Sequence, residues 1–388
     1  MGGKGAGAAF LMATSAIGPG FLTQTTVFTQ QLMASMGFVI LISVIIDIIA
    51  QLNIWQILTA NNKRGSELAN EVISGSGHAL TIFICLGGLA FNIGNVSGAG
   101  LGLNILFPVS VETGSVISAL IAIIIFLSKD ISKSMDLFVK LLGIVMLALM
   151  LYVVFYAAPP LAQVVHRTFV PTVINFTSIV TLVGGTVGGY ITFAGAHRLL
   201  EDKSTPISMQ QVKRSAVNGI VLTACMRILL FLAVFGILNQ GFQLNPENPA
   251  ASVFQAAAGN LGYKLFGIVL WCAAITSVVG SAFTSITFLK TLHPVFNRQQ
   301  RMATILFILL STIVFLFWGK PIFILVVAGS LNGLILPFSL GLMLWVMIKR
   351  KLRHYQHPAW LLWSGWIVVA VMLWMSIVTF VNEIPKLF

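Results

Sequence analysis

The stretch LVGGTVGGYITFAG, Leu182 to Gly195, sets four glycines within six positions of an otherwise apolar run. Each glycine in a helix interior costs about 1 kcal/mol relative to alanine, so this segment gives up helix stability for another purpose. Positions without side chains let a substrate or a neighbouring helix come close to the main chain. A helix interrupted near its middle, rather than a plain span, is the expectation.

The surroundings say what kind of chain carries that interruption. Of 388 residues 57% are hydrophobic and 8% charged, and runs of about 20 residues are nearly free of charge. Such a chain uses lipid as solvent. The apolar runs are continuous rather than alternating, so the spans are helices and not barrel strands. Punctuation predicts eleven of them, at 8–36, 38–60, 79–106, 113–128, 135–158, 175–199, 212–239, 262–289, 302–318, 321–348 and 359–381. With the N-terminus inside, the inner loops hold sixteen lysines and arginines, and the outer side holds four: Arg167, Lys264, Lys320 and Lys386. This asymmetry predicts a multi-pass protein of the cell's inner (plasma) membrane, N-terminus cytoplasmic and C-terminus outside. The net charge of +12 is then a topology signal that meets anionic lipid, and no nucleic-acid partner is expected. Cys85, Cys225 and Cys272 lie in apolar segments without paired spacing and predict packing residues. No cleavable leader is expected, because the first run continues past any small-residue cleavage site.

A second interruption answers the first. IGPGFLTQTTVFTQQ, Ile17 to Gln31, lies in span 1, five spans before the glycine-rich stretch of span 6. An odd offset means that two five-span units run in opposite directions through the membrane, the arrangement of inverted-repeat transporters with paired broken helices. The predicted division is 1–158 for the first repeat, 159–348 for the second, and 349–388 for an eleventh helix and the C-terminus.

GPGFL, the RGSELAN that ends span 2 (Arg64 to Asn70), GGTV in span 6, Ser43, Gln51 and NGLILPF (Asn332 to Phe338) together resemble the NRAMP family of proton-coupled divalent metal transporters, which have the LeuT-type fold. The resemblance runs over spans 1 to 10 and implies an all-α, 5+5 inverted repeat with discontinuous helices 1 and 6. It also implies metal ligands that this sequence lacks. The family's Asp-Pro-Gly-Asn of span 1, counted from GPGFL, falls on Thr29, Gln30, Gln31 and Leu32, and its Met-Pro-His of span 6 falls on Gly188, Gly189 and Tyr190. Carboxylate and thioether, the donors that divalent and soft metals favour, are both gone.

What stands there instead is a set of hydroxyls, amides and backbone N–H groups. Thr25, Thr26, Thr29, Gln30, Thr186, Gly188, Gly189, Tyr190 and, in span 10, Asn332 are the expected substrate-binding residues. The half-helix after Gly188 is expected to aim its N-terminal N–H groups at the ligand. The expected cargo is therefore a small anion, bicarbonate or a compact monocarboxylate such as 5-oxoproline, with a neutral polar solute as the less selective variant. Asp47 in span 2, Arg227 in span 7 and His197 at the end of span 6 are the ionisable residues expected to couple transport to H⁺ or Na⁺, or else to pair or cap helices. Asp47 has Lys140 or Arg227 as candidate structural partners. No cofactor and no resident metal are expected, and a monomer suffices.

Other classes fare worse. No Ser-His-Asp set, HExxH, phosphate loop or carboxylate pair supports an enzyme. A divalent metal carrier of the NRAMP type, for Mg²⁺ or Mn²⁺, and an anion channel are the alternatives.

Overall fold

The computed structural model describes residues 18–201, 208–349 and 355–383, and among these the side chains of all but 129–140, 142, 198, 201, 382 and 383. The inner half of the first expected span, residues 8–17, and the Lys140 side chain lie outside the described residues.

Every element among the described residues is helical. In chain order they are α1 (Pro19–Leu32), α2 (Met36–Asn61), α3 (Gly65–Val72), α4 (Ser76–Leu106), α5 (Val111–Leu127), α6 (Lys129–Ala157), α7 (Leu161–Phe169), α8 (Phe176–Thr186), α9 (Ile191–Glu201), α10 (Met209–Asn239), α11 (Pro249–Leu289), α12 (Val295–Arg298), α13 (Gln300–Trp318), α14 (Pro321–Lys349) and α15 (Ala359–Glu383). Among the described residues eight helical runs are long and apolar enough to cross a membrane, or nine if one bent pair counts as a span. One of the eight, Pro19–Asn61, is 43 residues long. At 1.5 Å per residue it would reach about 65 Å, twice a bilayer core. The backbone of Met33 (φ 50°) interrupts it and separates α1 from α2. Likewise α11 is divided by the non-helical Ala258 and Gly259, so that the expected eighth span begins just after the break.

Local chemistry sets several boundaries. Asn175 caps α8 by accepting the Ser178 N–H at 2.9 Å, Ser110 caps α5 through Thr113, and Ser208 with Gln211 forms a capping box at the start of α10. Pro159 and Pro160 end α6, and α7 leaves it at 105°. The sequence reading had no helix at 161–169.

Burial places span 6 at the centre. The window covering α8 and α9 is 89% buried, against 33% for α13 and α15, whose apolar faces are left for lipid. α8 packs on α14, α2, α15 and α1, so the central break is surrounded by spans 1, 2, 10 and 11.

Candidate functional site

The break in span 6 falls where the glycines put it. α8 ends at Thr186, Val187 still bonds back to Val183 O at 2.9 Å, and Gly188 turns with φ 39°, a conformation that a side chain would strain. Helix α9 resumes at Ile191. Gly184 allows a different economy: a Cβ there would run into the carbonyl of Gly329 on α14, so α8 and α14 touch backbone to backbone.

Three of the N–H groups expected to be open at this break are bonded. The N–H of Gly188 bonds to Val183 O at 3.0 Å, that of Gly189 to Asn332 O at 2.9 Å and that of Thr192 to Val187 O at 2.8 Å. Buried backbone donors find partners wherever the chain allows it. Gly188 and Gly189 therefore shape the break and do not serve as its ligand-binding donors, and Gly189 is pressed against Ile335.

The described part of span 1 begins at Gly18, and the threonine cluster lies inside its helix. Gly18 is the N-cap of α1, extended at φ −117° and ψ −171°, and Pro19 is its first helical residue, the position that suits proline best. From there α1 runs unbroken to Leu32. Thr25, Thr26 and Thr29 give their hydroxyl protons to Phe21 O, Leu22 O and Thr25 O at 2.8, 2.9 and 2.6 Å, so they brace the helix and are not free for a substrate. Gln30 is exposed near its far end. The residues at the start of α1 are Gly18, Pro19, Gly20 and Phe21, a Pro-Gly pair flanked by glycine and phenylalanine. Gly18, which has no side chain to cap the helix, faces Asn95 and Ser277.

Arg227 ties the two breaks together. It projects from α10, is 2% exposed, and its guanidinium carbon stands 4.5 Å from the centre of the Phe21 ring. Nη1 donates to the Thr186 hydroxyl at 2.8 Å and lies 3.5 Å from Leu182 O. Nε and Nη2 have no partner. These two donors form one side of the planar guanidinium, the fork that receives a carboxylate through two parallel bonds. Asp47 on α2 is fully buried, and Arg227 is the charged group acting on it. The Thr186 hydroxyl is within reach of Asp47 but gives its proton to Leu182 O at 2.8 Å, which leaves both carboxylate oxygens without a hydrogen bond. The two charges face each other without forming an ion pair.

The remaining expected residues bond to or pack on neighbouring helices, and Asn332 Oδ1 is left without a hydrogen bond. Asn332 donates to Gly87 O and Ala328 O, both at 3.0 Å, and so ties α14 to α4. Tyr190 donates to Ser281 O at 3.2 Å, and Ser281, Asn92 and Ser311 continue the chain of bonds. His197 is buried beside the Phe288 ring, eleven residues beyond Thr186. Phe21 and Pro19 were missed as site residues. Proline at a helix start was the signal that could have found them.

Comparison with known proteins agrees with this architecture. A family model described as natural resistance-associated macrophage protein-like matches residues 9–382. The uncharacterized membrane protein YcsG of Bacillus subtilis is 55% identical over 98% of this chain and 95% of its own length. The divalent metal cation transporter MntH of Mesorhizobium japonicum is 22% identical over 74% of this chain and 68% of its own. A crystal structure of the Eremococcus coleocola manganese transporter superposes with a TM-score of 0.73 at 16% identity, covering 98% of this chain and 87% of that one. The fold is the LeuT-type arrangement with discontinuous helices 1 and 6, and the chain belongs to the Nramp family of membrane transporters, not to the enzymes.

Proposed function

We propose that this transporter carries a small anion, a compact monocarboxylate or bicarbonate, by alternating access between the breaks of spans 1 and 6. One observation carries the reading: the buried Arg227 fork beside both breaks, with Nε and Nη2 unbonded. A buried donor left without a partner costs about 1–3 kcal/mol, and more when charged. A carboxylate restores both bonds at once. At about 5 Å and an effective dielectric constant of about 20, a guanidinium attracts a monoanion by about 3 kcal/mol and repels a divalent cation by about 7 kcal/mol.

The metal reading rests on relatives whose names specify manganese and divalent cations. The donors here argue the other way. Among the described residues no three His, Cys, Asp or Glu side chains come together as a metal site, and residues 1–17 contain none of these types. The charge asymmetry of the loops supports a plasma-membrane protein with its N-terminus inside. The test is uptake and counterflow in proteoliposomes with bicarbonate, small monocarboxylates including 5-oxoproline, Mn²⁺ and Mg²⁺ in parallel. Saturable carboxylate or bicarbonate counterflow is expected. Saturable Mn²⁺ uptake with no anion counterflow would overturn the proposal.

A further inference from the structure

We propose, independently of the cargo, that α7 is a lipid-contact helix: its face of Leu161, Val165 and Phe169 rests in the boundary between lipid headgroups and acyl chains. From that depth it holds the joint between spans 1 and 2 and the start of span 6. At about 100° per residue α7 divides into three faces. Leu161, Val165 and Phe169 fall within about 80° of one another, and all three are exposed, Phe169 at 71%. Val164, 9% exposed, and Thr168 lie beside them and pack inward. Gln163, His166 and Arg167 make the third face, centred about 150° from the apolar one. A surface helix of a soluble domain needs only two faces, one for the core and one for water. A third, apolar and uncovered, suits a helix with protein beside it, water above it and lipid below it.

The place of α7 in the chain agrees with this. It leaves α6 at 105°, so the chain turns from a spanning direction into the plane of the membrane. The last turns of α6 carry Tyr152, Phe155 and Tyr156, all exposed, with the two tyrosine rings stacked. Aromatic side chains of this kind gather at the membrane–water boundary. Only Ala158, Pro159 and Pro160 separate α6 from α7, so the apolar surface that α6 turns to lipid is continued by Leu161, Val165 and Phe169. Arg167 and His166 then stand on the headgroup side, where a cation meets lipid phosphate.

The inward face grips the transport helices. α7 packs on α2 and on the turn Met33–Ser35 that joins α2 to α1. Thr168 fills the space that a side chain at Gly37 would take. The segment after α7 continues the grip: the Thr172 N–H donates to Ser35 Oγ at 3.1 Å, and the two hydroxyls lie 2.9 Å apart. Three residues further on, Asn175 caps α8. One short run therefore touches both the bend at Met33 and the first turn of span 6, and whatever fixes its depth in the bilayer fixes theirs.

The test puts bimane on Val165→Cys, Phe169→Cys or Gln163→Cys in the full-length chain carrying Cys85→Ala, Cys225→Ala and Cys272→Ala. Each is reconstituted in phosphatidylcholine vesicles with or without lipid brominated near the top of its acyl chains. Labels at 165 and 169 should be quenched at least threefold more by brominated lipid than the label at 163, and at least threefold less by aqueous iodide. Equal quenching at all three positions would overturn the assignment. Protection of 165 and 169 from both quenchers would overturn it too, by putting a second copy of the chain where lipid is expected. Hydrogen exchange in the same vesicles reads the grip. Phe169→Asp should speed exchange of the amides at 33–37 at least fivefold, and Phe169→Leu, which keeps the face apolar, should leave it within twofold of wild type. Wild-type exchange there in Phe169→Asp, with the protein folded by size-exclusion chromatography, would overturn the anchor.

Discussion

Helix α2 carries two buried polar clusters six residues apart, and they are finished differently. Around Asn53 and Gln56 the side-chain atoms are paired. Asn53 Nδ2 donates to Ile49 O at 2.9 Å and Leu361 O at 3.0 Å, and its Oδ1 faces His357 Nε2 at 2.8 Å. The Tyr355 hydroxyl lies 3.0 Å from both Gln56 Oε1 and His357 Nδ1, and Gln56 Nε2 donates to Leu52 O at 3.0 Å. This is a clasp that fixes the approach to α15 against α2. Around Asp47 the carboxylate oxygens and two guanidinium donors are left open. A closed polar network rigidifies, whereas open valences in a dry site store a demand that a ligand or a proton can meet. On the same helix, one cluster builds the carrier and the other works it.

Arg227 is where that contrast breaks most sharply. Arg227→Gln removes both the charge and the fork, and anion uptake should fall at least a hundredfold, by about 3 kcal/mol or more for a charge-assisted bidentate pair. Arg227→Lys keeps the charge but not the planar fork and should lose about tenfold. Uptake within threefold of wild type in Arg227→Gln, with the protein still folded by size-exclusion chromatography, would make the open cluster no more functional than the clasp.

Gly184→Ala separates shape from chemistry. Its Cβ would meet the Gly329 carbonyl across the α8–α14 contact, so the variant should lose stability by about 1–3 kcal/mol through overpacking. A melting temperature lowered by several degrees in detergent, whatever the substrate, is the expected outcome. An unchanged melting temperature would mean that the two backbones do not press together at this level.

How much of this was legible in the sequence follows from the range of each signal. The spans were readable because hydrophobic runs and caps such as Asn175 and Ser208 act over a few residues. The break in span 6 was readable because Gly188 sits at a positive φ that glycine tolerates. Within the interrupted stretch expected in span 1, Ile17 to Gln31, the threonine cluster is helical. A threonine hydroxyl can equally bond to the carbonyl four residues back and stay within the helix, as Thr25, Thr26 and Thr29 do. Of the N–H groups expected to be open here, that of Gly188 is taken by Val183 O and that of Gly189 by Asn332 O, which lies far along the chain. The use of Arg227 was out of reach for the same reason. Which of its donors are engaged depends on Thr186, 41 residues away, and on Phe21 from the first span.

The smallest expected effect lies in the clasp, and it has a definite sign. Burial, with the nearby Lys213, lowers His357 from 6.5 to about 4, and burial pushes Tyr355 up to about 12. The imidazole is therefore neutral at pH 7, donating from Nε2 to Asn53 Oδ1, while the Tyr355 hydroxyl gives its proton to Gln56 Oε1 and lies 3.0 Å from Nδ1. In the unfolded chain His357 takes its proton near pH 6.5, before the folded clasp does, so the unfolded state binds more protons between about 6.5 and 4. The clasp contributes its full stability above pH 6.5 and loses it progressively as pH falls toward 4. A modest drop in melting temperature of a few degrees across that window is expected in the wild type, and a shallower one in His357→Asn, which removes the titrating ring. Because Asp47 is not part of this network, carboxylate counterflow at pH 7 should be the same in His357→Asn and the wild type; a tenfold loss there would join the two clusters into one functional unit.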